Sequence, residues 1–169
     1  MKPNSGLRCP ARAAIAAALL IVALAGCGSA SAPSPSASAP GAGFAGYKWA
    51  VVTISHHGTA TPVAAKYAVY LQFTPDGHFG ANEPVNYHSG RYKLTPGGFT
   101  TSDVAQTLVG YAGRDPVVLL SVSAISAVGS GAPALASVSG STLTVTVGGY
   151  TLIAHRDGTQ PNWPATGPT

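Results

Sequence analysis

Few side chains in this sequence could act as acids, bases or nucleophiles, and their spacing does not favour catalysis. Only 8% of the 169 residues are charged. Asp76 precedes Gly77 in a turn-forming sequence, and Asp115 precedes Pro116 as the cap of a helix would. The five carboxylates are Asp76, Glu83, Asp103, Asp115 and Asp157. The sequence contains no Gly-x-Ser-x-Gly elbow, Walker loop or dinucleotide fingerprint. We therefore expect no catalytic residues.

Histidines are the other groups that could do chemistry. His56 and His57 are adjacent, so on a strand their side chains would point to opposite faces and could not easily share one ion. His78 and His88 could approach each other across a sheet, with Glu83 between them in sequence. Zinc and copper bind such groups, but metal sites usually show closer spacing and supporting partners. We expect surface or turn histidines, with no metal site and no cofactor.

The net charge argues against binding to nucleic acid. Nine basic and five acidic residues give a formal charge of +4. Lys2, Arg8 and Arg12 all lie at the extreme N-terminus, and the rest of the chain is nearly neutral. A surface that binds phosphate backbones needs clustered basic residues. The composition therefore excludes nucleic acid as an expected partner.

The N-terminal residues have the pattern of an export signal. Three basic residues precede an uncharged segment, residues 13–25, which is shorter than the about 20 apolar residues that cross a bilayer. It ends in Leu24-Ala25-Gly26-Cys27, which resembles the bacterial lipobox. We predict that residues 1–26 are a lipoprotein signal peptide and that Cys27 is the site of lipid attachment. The alternative is an ordinary secretion signal with an incidental cysteine.

This pattern also predicts the location and the organisation of the mature chain. We expect the protein at the cell membrane, lipid-anchored on its extracytoplasmic face. Residues 27–46 consist almost entirely of Gly, Ser, Ala and Pro, with Phe44 as the one large side chain, so they predict a disordered tether. A folded domain is predicted for residues 47–157, followed by a flexible tail at residues 158–169. Cys9 lies in the predicted signal, so the mature chain has no pair of cysteines for a disulfide.

The strongest prediction of secondary structure concerns residues 136–155. Polar and apolar residues alternate on both sides of Gly148-Gly149, a loop typical of a β-hairpin, and again around Gly140-Ser141. This pattern predicts an antiparallel meander with one apolar face. The predicted apolar pairs are Val138–Leu143, Ala136–Val145, Leu143–Ala154, Val145–Leu152 and Val147–Tyr150; the predicted polar pairs are Ser139–Thr142, Thr146–Thr151 and Thr142–His155.

Earlier segments predict further strands at residues 47–55, 67–73 and 87–94. Pro75-Asp76-Gly77 predicts a hairpin loop that pairs Phe73 with Phe79, and Thr95-Pro96-Gly97-Gly98 predicts a type II turn. Residues 114–129 leave two alternatives open. Asp115-Pro116 favours a helix start, whereas the β-branched residues and the alternation that follow favour a strand.

Two segments resemble a known family. Tyr70-Leu71-Gln72-Phe73-Thr74-Pro75-Asp76-Gly77 and Asn86-Tyr87-His88-Ser89-Gly90-Arg91-Tyr92 resemble the META-domain (HslJ-like) family of bacterial envelope proteins. Trp49, Gly80, Thr107 and residues 139–153 also fit. The resemblance implies a mainly β fold, a small antiparallel β-roll or barrel with one short helix at about 115–128. The family-motif residues, to which we assign structural roles, are Phe73, Gly77, Asn86, Gly90, Tyr92 and Thr107.

The resemblance implies a location more than a reaction. Cysteines often found in the family are absent here, at Val85 and Tyr111, and the family has no settled activity; it is associated with envelope stress and with lipoproteins. We expect a non-enzymatic, lipid-anchored envelope protein that acts as an interaction or maintenance module. Its partners would be the membrane and an unknown protein or small hydrophobic ligand.

Three alternatives remain open at the level of sequence. A closed roll with an apolar interior could bind a small hydrophobic ligand outside the cytoplasm, and an envelope hydrolase would need a histidine oriented by a carboxylate. An aromatic patch for glycan or peptide could form from Tyr47, Trp49, Tyr67, Tyr70, Tyr87, Tyr92 and Tyr111.

Overall fold

The computed structural model describes residues 42–159, which contain nine strands and one α-helix. The strands are β1 (Tyr47–His56), β2 (Thr59–Pro62), β3 (Tyr70–Phe73), β4 (His78–Asn82), β5 (Tyr87–Thr95), β6 (Gly98–Gln106), β7 (Ala134–Ser139), β8 (Thr142–Val147) and β9 (Tyr150–Thr159). The helix is α1 (Pro116–Val128), and short 3-10 helices cover Ala42–Phe44 and Ala65–Tyr67. The predicted signal peptide, Cys27 and most of the tether lie outside the described residues.

The strands form a closed antiparallel barrel. Their order is β2-β1-β3-β4-β5-β6-β7-β8-β9, and β1 also pairs with β9, which closes the sheet. β3 pairs with the first half of β1, at residues 47–50, while β2 pairs with its second half, at residues 53–56. β2 is therefore an addition beside a barrel of eight strands. The predicted mainly β barrel with one helix is confirmed.

Both C-terminal hairpins have the predicted register. Every pair predicted around Gly148-Gly149 and around Gly140-Ser141 is present. Leu143, Val145 and Leu152 are buried, because alternation places them all on the inner face of the barrel. Phe73 also pairs with Phe79 as predicted. Turn chemistry and apolar alternation together determined these registers.

Other predicted segments need correction. The strand predicted at residues 67–73 begins only at Tyr70, because Ala65–Tyr67 is a 3-10 helix and Ala68 follows it in the left-handed region (φ 50°). β2 and β6 were not predicted as strands. β6 contains few apolar residues, and a register shift against β5 interrupts its alternation.

The ambiguous segment is a helix. The Asp115 side chain accepts a hydrogen bond from the Val117 N–H at 2.9 Å, and Pro116 occupies the first turn. This cap satisfies an N–H group that has no partner within the helix. Ala124, Ile125 and Val128 belong to the buried core, so α1 packs its apolar side on the barrel. The family resemblance predicted this element correctly where the residue pattern left it open.

The barrel interior is filled by apolar side chains, and Phe44 is one of them. Phe44 is fully buried, and its ring centroid lies 4.7 Å from that of Phe73 and 5.4 Å from that of Phe99. The Trp49 indole N–H donates to the Phe44 carbonyl oxygen at 2.9 Å. The folded domain therefore begins before the predicted boundary at residue 47, because an aromatic ring in an otherwise small-residue segment fills the barrel.

The C-terminal boundary differs slightly from the prediction as well. β9 continues to Thr159, two residues beyond the predicted end of the domain. The remaining residues of the predicted tail lie outside the described residues. Within residues 42–159, no helix has both the length and the apolar character needed to cross a membrane.

Candidate functional site

Asn86 and Thr107, both family-motif residues, meet at one end of β5 and β6. The Asn86 side-chain oxygen accepts hydrogen bonds from the Thr107 hydroxyl at 3.1 Å and from the Val109 N–H at 2.8 Å. The Thr107 hydroxyl oxygen in turn accepts from the Tyr87 N–H at 3.0 Å. These bonds hold the start of a loop on which Leu108 is 87% exposed. In the described structure, Asn86 and Thr107 therefore position this loop.

Phe73, Gly77 and Tyr92 form a second group of motif residues. The Phe73 and Tyr92 rings lie 5.3 Å apart, nearly perpendicular to each other. The Tyr92 hydroxyl donates to the Thr74 carbonyl oxygen at 2.7 Å, which ties β5 to the hairpin turn. Gly77 has a φ of 85°, a conformation that L side chains rarely adopt. The turn and the aromatic core therefore determine these residue types.

Gly90, the remaining motif residue, lies at the register shift between β5 and β6. A Cβ atom at Gly90 would lie 2.7 Å from the Ser102 carbonyl oxygen and 2.9 Å from Cγ2 of Val104. Asp103, on the opposite strand, has a φ of 52°. The bulge thus brings the two backbones too close for any larger residue.

The outer face beside this bulge carries an Asp–His–Arg chain. Asp76 Oδ2 lies 2.9 Å from His78 Nδ1, and Arg91 Nη1 lies 3.1 Å from His78 Nε2. Since a guanidinium group only donates, Nε2 must accept and Nδ1 carries the proton that is donated to Asp76. A hydrogen bond from the Thr74 hydroxyl is the main reason why the pKa of Asp76 is lowered.

The hydrogen-bonded network of Asp76, His78 and Arg91 has part of the geometry of a hydrolase. A carboxylate orients the histidine, and a groove of 240 Å³ beside it is lined by His78, Ser89, Arg91 and Asp103, among others. However, the nitrogen that would take a proton from a nucleophile faces Arg91, whose donor engages its lone pair. The arrangement suits a fixed surface network better than a general base.

Glu83 and His88 form a buried pair on the inner side. Glu83 Oε1 and His88 Nε2 are 3.7 Å apart, which is too long for a hydrogen bond, and neither atom has another partner among the described residues. Glu83 Oε2 accepts from the Val85 N–H at 2.7 Å and so stabilises the turn between β4 and β5. Burial lowers the pKa of His88, and the nearby Glu83 carboxylate opposes that effect only in part. The imidazole is therefore neutral at neutral pH.

The histidines do not assemble as a metal site in the described structure. Within residues 42–159, no group of three or more His, Cys, Asp or Glu side chains is arranged to hold a metal ion. His78 lies on the outer face, whereas His88 is buried, so the expectation of a surface or turn histidine is wrong for His88. His56 is the last residue of β1 and His57 lies in the turn after it, so the alternation of a strand does not apply to the pair. His57 is left-handed (φ 49°), so its ring lies 4.0 Å from that of His56, which stacks on Tyr150 at 4.3 Å.

The aromatic residues considered for a glycan or peptide patch differ in their burial and contacts. Trp49 is buried, and Tyr92 packs against the core. Tyr87 accepts a hydrogen bond from the Gln72 side-chain amide, and burial is the main cause that raises its pKa to about 12. Tyr111 lies on the exposed loop, where its hydroxyl accepts from the Asp115 N–H.

A groove between β1 and residues 63–69 is a candidate binding site within the described residues. Its volume is 340 Å³, and it forms because residues 63–69 leave the sheet between β2 and β3. Ala50, Val51, Val52, Val63, Ala64, Ala65, Ala68 and Val69 line it, with Lys48, Tyr70 and Asp157 as the polar residues. Sequence analysis missed this groove; the one signal was the concentration of alanines after β2.

Comparison with known proteins supports the fold. A family model of the META domain matches residues 42–157. The chain is also similar to a solved structure, an NMR structure of the protein from Burkholderia xenovorans. That likeness has a TM-score of 0.53 and 16% identity, and it covers 68% of this chain and 83% of the other.

No curated protein matches this chain significantly. The solved structure has low sequence identity, so the likeness bears on the fold alone. The family match begins at residue 42, which is also the first of the described residues, and so includes the buried Phe44. It covers more than half of the chain and contains all six motif residues. The chain belongs to the META domain family.

Proposed function

We propose that this protein is a lipid-anchored, non-enzymatic envelope protein whose META domain acts as an interaction or maintenance module outside the cytoplasmic membrane. The observation that carries the proposal is Cys27 directly after Leu24-Ala25-Gly26, at the end of a short apolar segment with basic residues before it. Membership of the META domain family supports the assignment of the domain. The location and the absence of catalysis are our proposals.

The lipid anchor is tested through its attachment site. We expect mass spectrometry of the mature protein to find Cys27 as the N-terminal residue, carrying a diacylglycerol. Cys27→Ala should abolish incorporation of a palmitate analogue and release the protein from the membrane fraction. Cys9→Ala is the matched control, since Cys9 lies in the segment that is removed. An unmodified Cys27, or a mature N-terminus elsewhere, would refute the anchor.

The non-enzymatic role is supported by what the titratable groups contact. Asp76 is bound to Thr74 and His78, Asp115 caps α1, and Glu83 stabilises a turn. Each of these contacts has a structural explanation. Activity assays with peptide, ester and glycan substrates should therefore show no turnover that His78→Ala removes. Turnover that this substitution abolishes would favour the hydrolase alternative.

Binding of a small ligand is the second candidate function, and the groove beside β1 favours it. The barrel interior is packed with aromatic rings, among them Phe44, Phe73 and Phe99, so a ligand held inside a hollow roll is not supported. The groove lies on the outside of the barrel, and its volume is at the lower end of the about 300–1,000 Å³ typical of small-molecule sites.

A further inference from the structure

We infer that the groove between β1 and residues 63–69 binds a small apolar zwitterion, either a free apolar amino acid or a dipeptide with apolar side chains. This inference rests on the ligand-binding role proposed above and does not depend on the lipid anchor. It is carried by the apolar walls of the groove together with the two opposite charges at its rim.

The walls of the groove are apolar and are fixed by backbone hydrogen bonds. Val51, Val63 and Val69 are each less than 7% exposed. The Val51 N–H donates to the Val69 carbonyl oxygen at 2.9 Å, and the Val63 N–H donates to the Val52 carbonyl oxygen at 2.9 Å. Both ends of residues 63–69 are thus held to β1. The apolar side chain of a ligand can therefore enter a groove whose walls are already fixed, which lowers the entropic cost of binding.

Small side chains keep the groove open. Ala50, Ala64, Ala65 and Ala68 line it, so no long side chain fills the space between β1 and residues 63–69. Ala68 adopts a left-handed conformation, and the Asn82 side-chain amide donates to its carbonyl oxygen at 2.9 Å. A non-glycine residue in this conformation is strained, and the hydrogen bond from Asn82 holds it there.

The rim of the groove carries one positive and one negative charge. Lys48 Nζ lies 3.4 Å from Asp157 Oδ2, and the two side chains are 34% and 56% exposed. The same Nζ lies 4.3 Å from the centroid of the Tyr70 ring, so the ammonium group is held at the mouth of the groove. An exposed ion pair of this kind contributes little stability and can exchange partners readily.

This pair of charges determines which ligand fits. A zwitterion can place its carboxylate on Lys48 and its ammonium group on Asp157 while its apolar side chain occupies the groove. Both protein charges then keep a partner when their mutual ion pair opens. A molecule with a single charge would leave either Lys48 or Asp157 without its partner, and an uncharged molecule would gain neither contact. The rim therefore favours a zwitterion over a fatty acid, an amine or an alcohol of similar size.

The test is a titration of the mature protein with valine methyl groups labelled for NMR. The protein is purified from whichever fraction contains it, so an absent anchor does not affect the outcome. L-leucine and leucyl-leucine should shift the methyl signals of Val51, Val63 and Val69 with saturation, while Val145 in the barrel stays unchanged. The two ligands distinguish an amino-acid site from a dipeptide site. Absence of saturable shifts with both would overturn the proposal.

Matched ligands and variants test each part of the site. Removing one ligand charge, as in 4-methylpentanoate or isoamylamine, should weaken binding about two- to fivefold, as expected for an exposed ion pair. Lys48→Met should weaken the binding of leucine but not that of isoamylamine. Lys93→Met, outside the groove, should change the binding of neither ligand. Ala65→Leu, at an exposed position of the wall, should weaken binding more than tenfold. Equal binding of all three ligands, or full binding by Ala65→Leu, would refute the assignment.

Discussion

Substitution of Phe44 by alanine should destabilise the whole domain. Phe44 is fully buried, and its ring contacts those of Phe73, Phe99 and Tyr92 at centroid distances of 4.7, 5.4 and 6.0 Å. Removing a buried phenylalanine ring costs about 3–5 kcal/mol through lost transfer energy and the cavity that remains. A domain of this size has a total stability of roughly 5–15 kcal/mol. Phe44→Ala should therefore remove a large share of it.

Urea unfolding of the purified protein, followed by far-UV circular dichroism, measures this loss. The midpoint of unfolding should fall while the slope stays the same, because the surface exposed on unfolding changes little. Leu108→Ala is the control: Leu108 is 87% exposed, so its removal should change stability by less than about 0.5 kcal/mol. If Phe44→Ala costs less than about 1 kcal/mol, Phe44 is not part of the core, and the tether extends to residue 46 as the sequence predicted.

Three further predictions follow from the bulge, the Asn86 contacts and the buried histidine. Gly90→Ala should lower the free energy of unfolding by about 1–3 kcal/mol, because the new Cβ would lie 2.7 Å from the Ser102 carbonyl oxygen; an unchanged urea midpoint would contradict this. Asn86→Ala should cost about 1–2 kcal/mol in the same assay, whereas Asn86→Asp, which still accepts both hydrogen bonds, should cost less; equal losses would argue against the acceptor role. Burial lowers the pKa of His88, so the folded state binds this proton more weakly than the unfolded chain does. The contribution of neutral His88 to the free energy of unfolding should thus be fully present above the unfolded pKa of about 6.5 and fall as the pH decreases below it. Melting temperatures between pH 7 and 5 should therefore fall less steeply in His88→Gln than in the unmodified protein. Identical slopes would refute this.

The sequence predicted those parts of the fold that depend on local patterns. The registers of β7, β8 and β9 follow from alternation and from turns whose glycines adopt positive φ, such as Gly140, Gly148 and Gly149. Both signals operate over a few residues. The helix was ambiguous because Val117 and Val118 favour a strand while Asp115-Pro116 favours a helix start, and packing on the barrel decided between them.

Features that depend on distant contacts could not be predicted. Phe44 stands among small residues that resemble a linker, and only its contacts with three rings from other strands show that it belongs to the core. The groove likewise has no local signature, because β1, residues 63–69 and β9 all contribute to it. The contact between the His56 and His57 rings was not predicted either, because it depends on the left-handed conformation of His57 in the turn, which alternation does not describe.

Pairing of β1 with β9 also has a consequence for how the chain folds. Tyr47 and Thr159 are neighbours in this pairing although they are about 110 residues apart in sequence. Local hairpins such as β8–β9 can form early, whereas closure must wait until the final strand has been synthesised and has found the first. Contacts between such distant residues slow folding, typically into the range of milliseconds to seconds. Until that moment both edges of the open sheet are exposed to pairing with other chains, so the interval before closure is when this domain is most prone to aggregate.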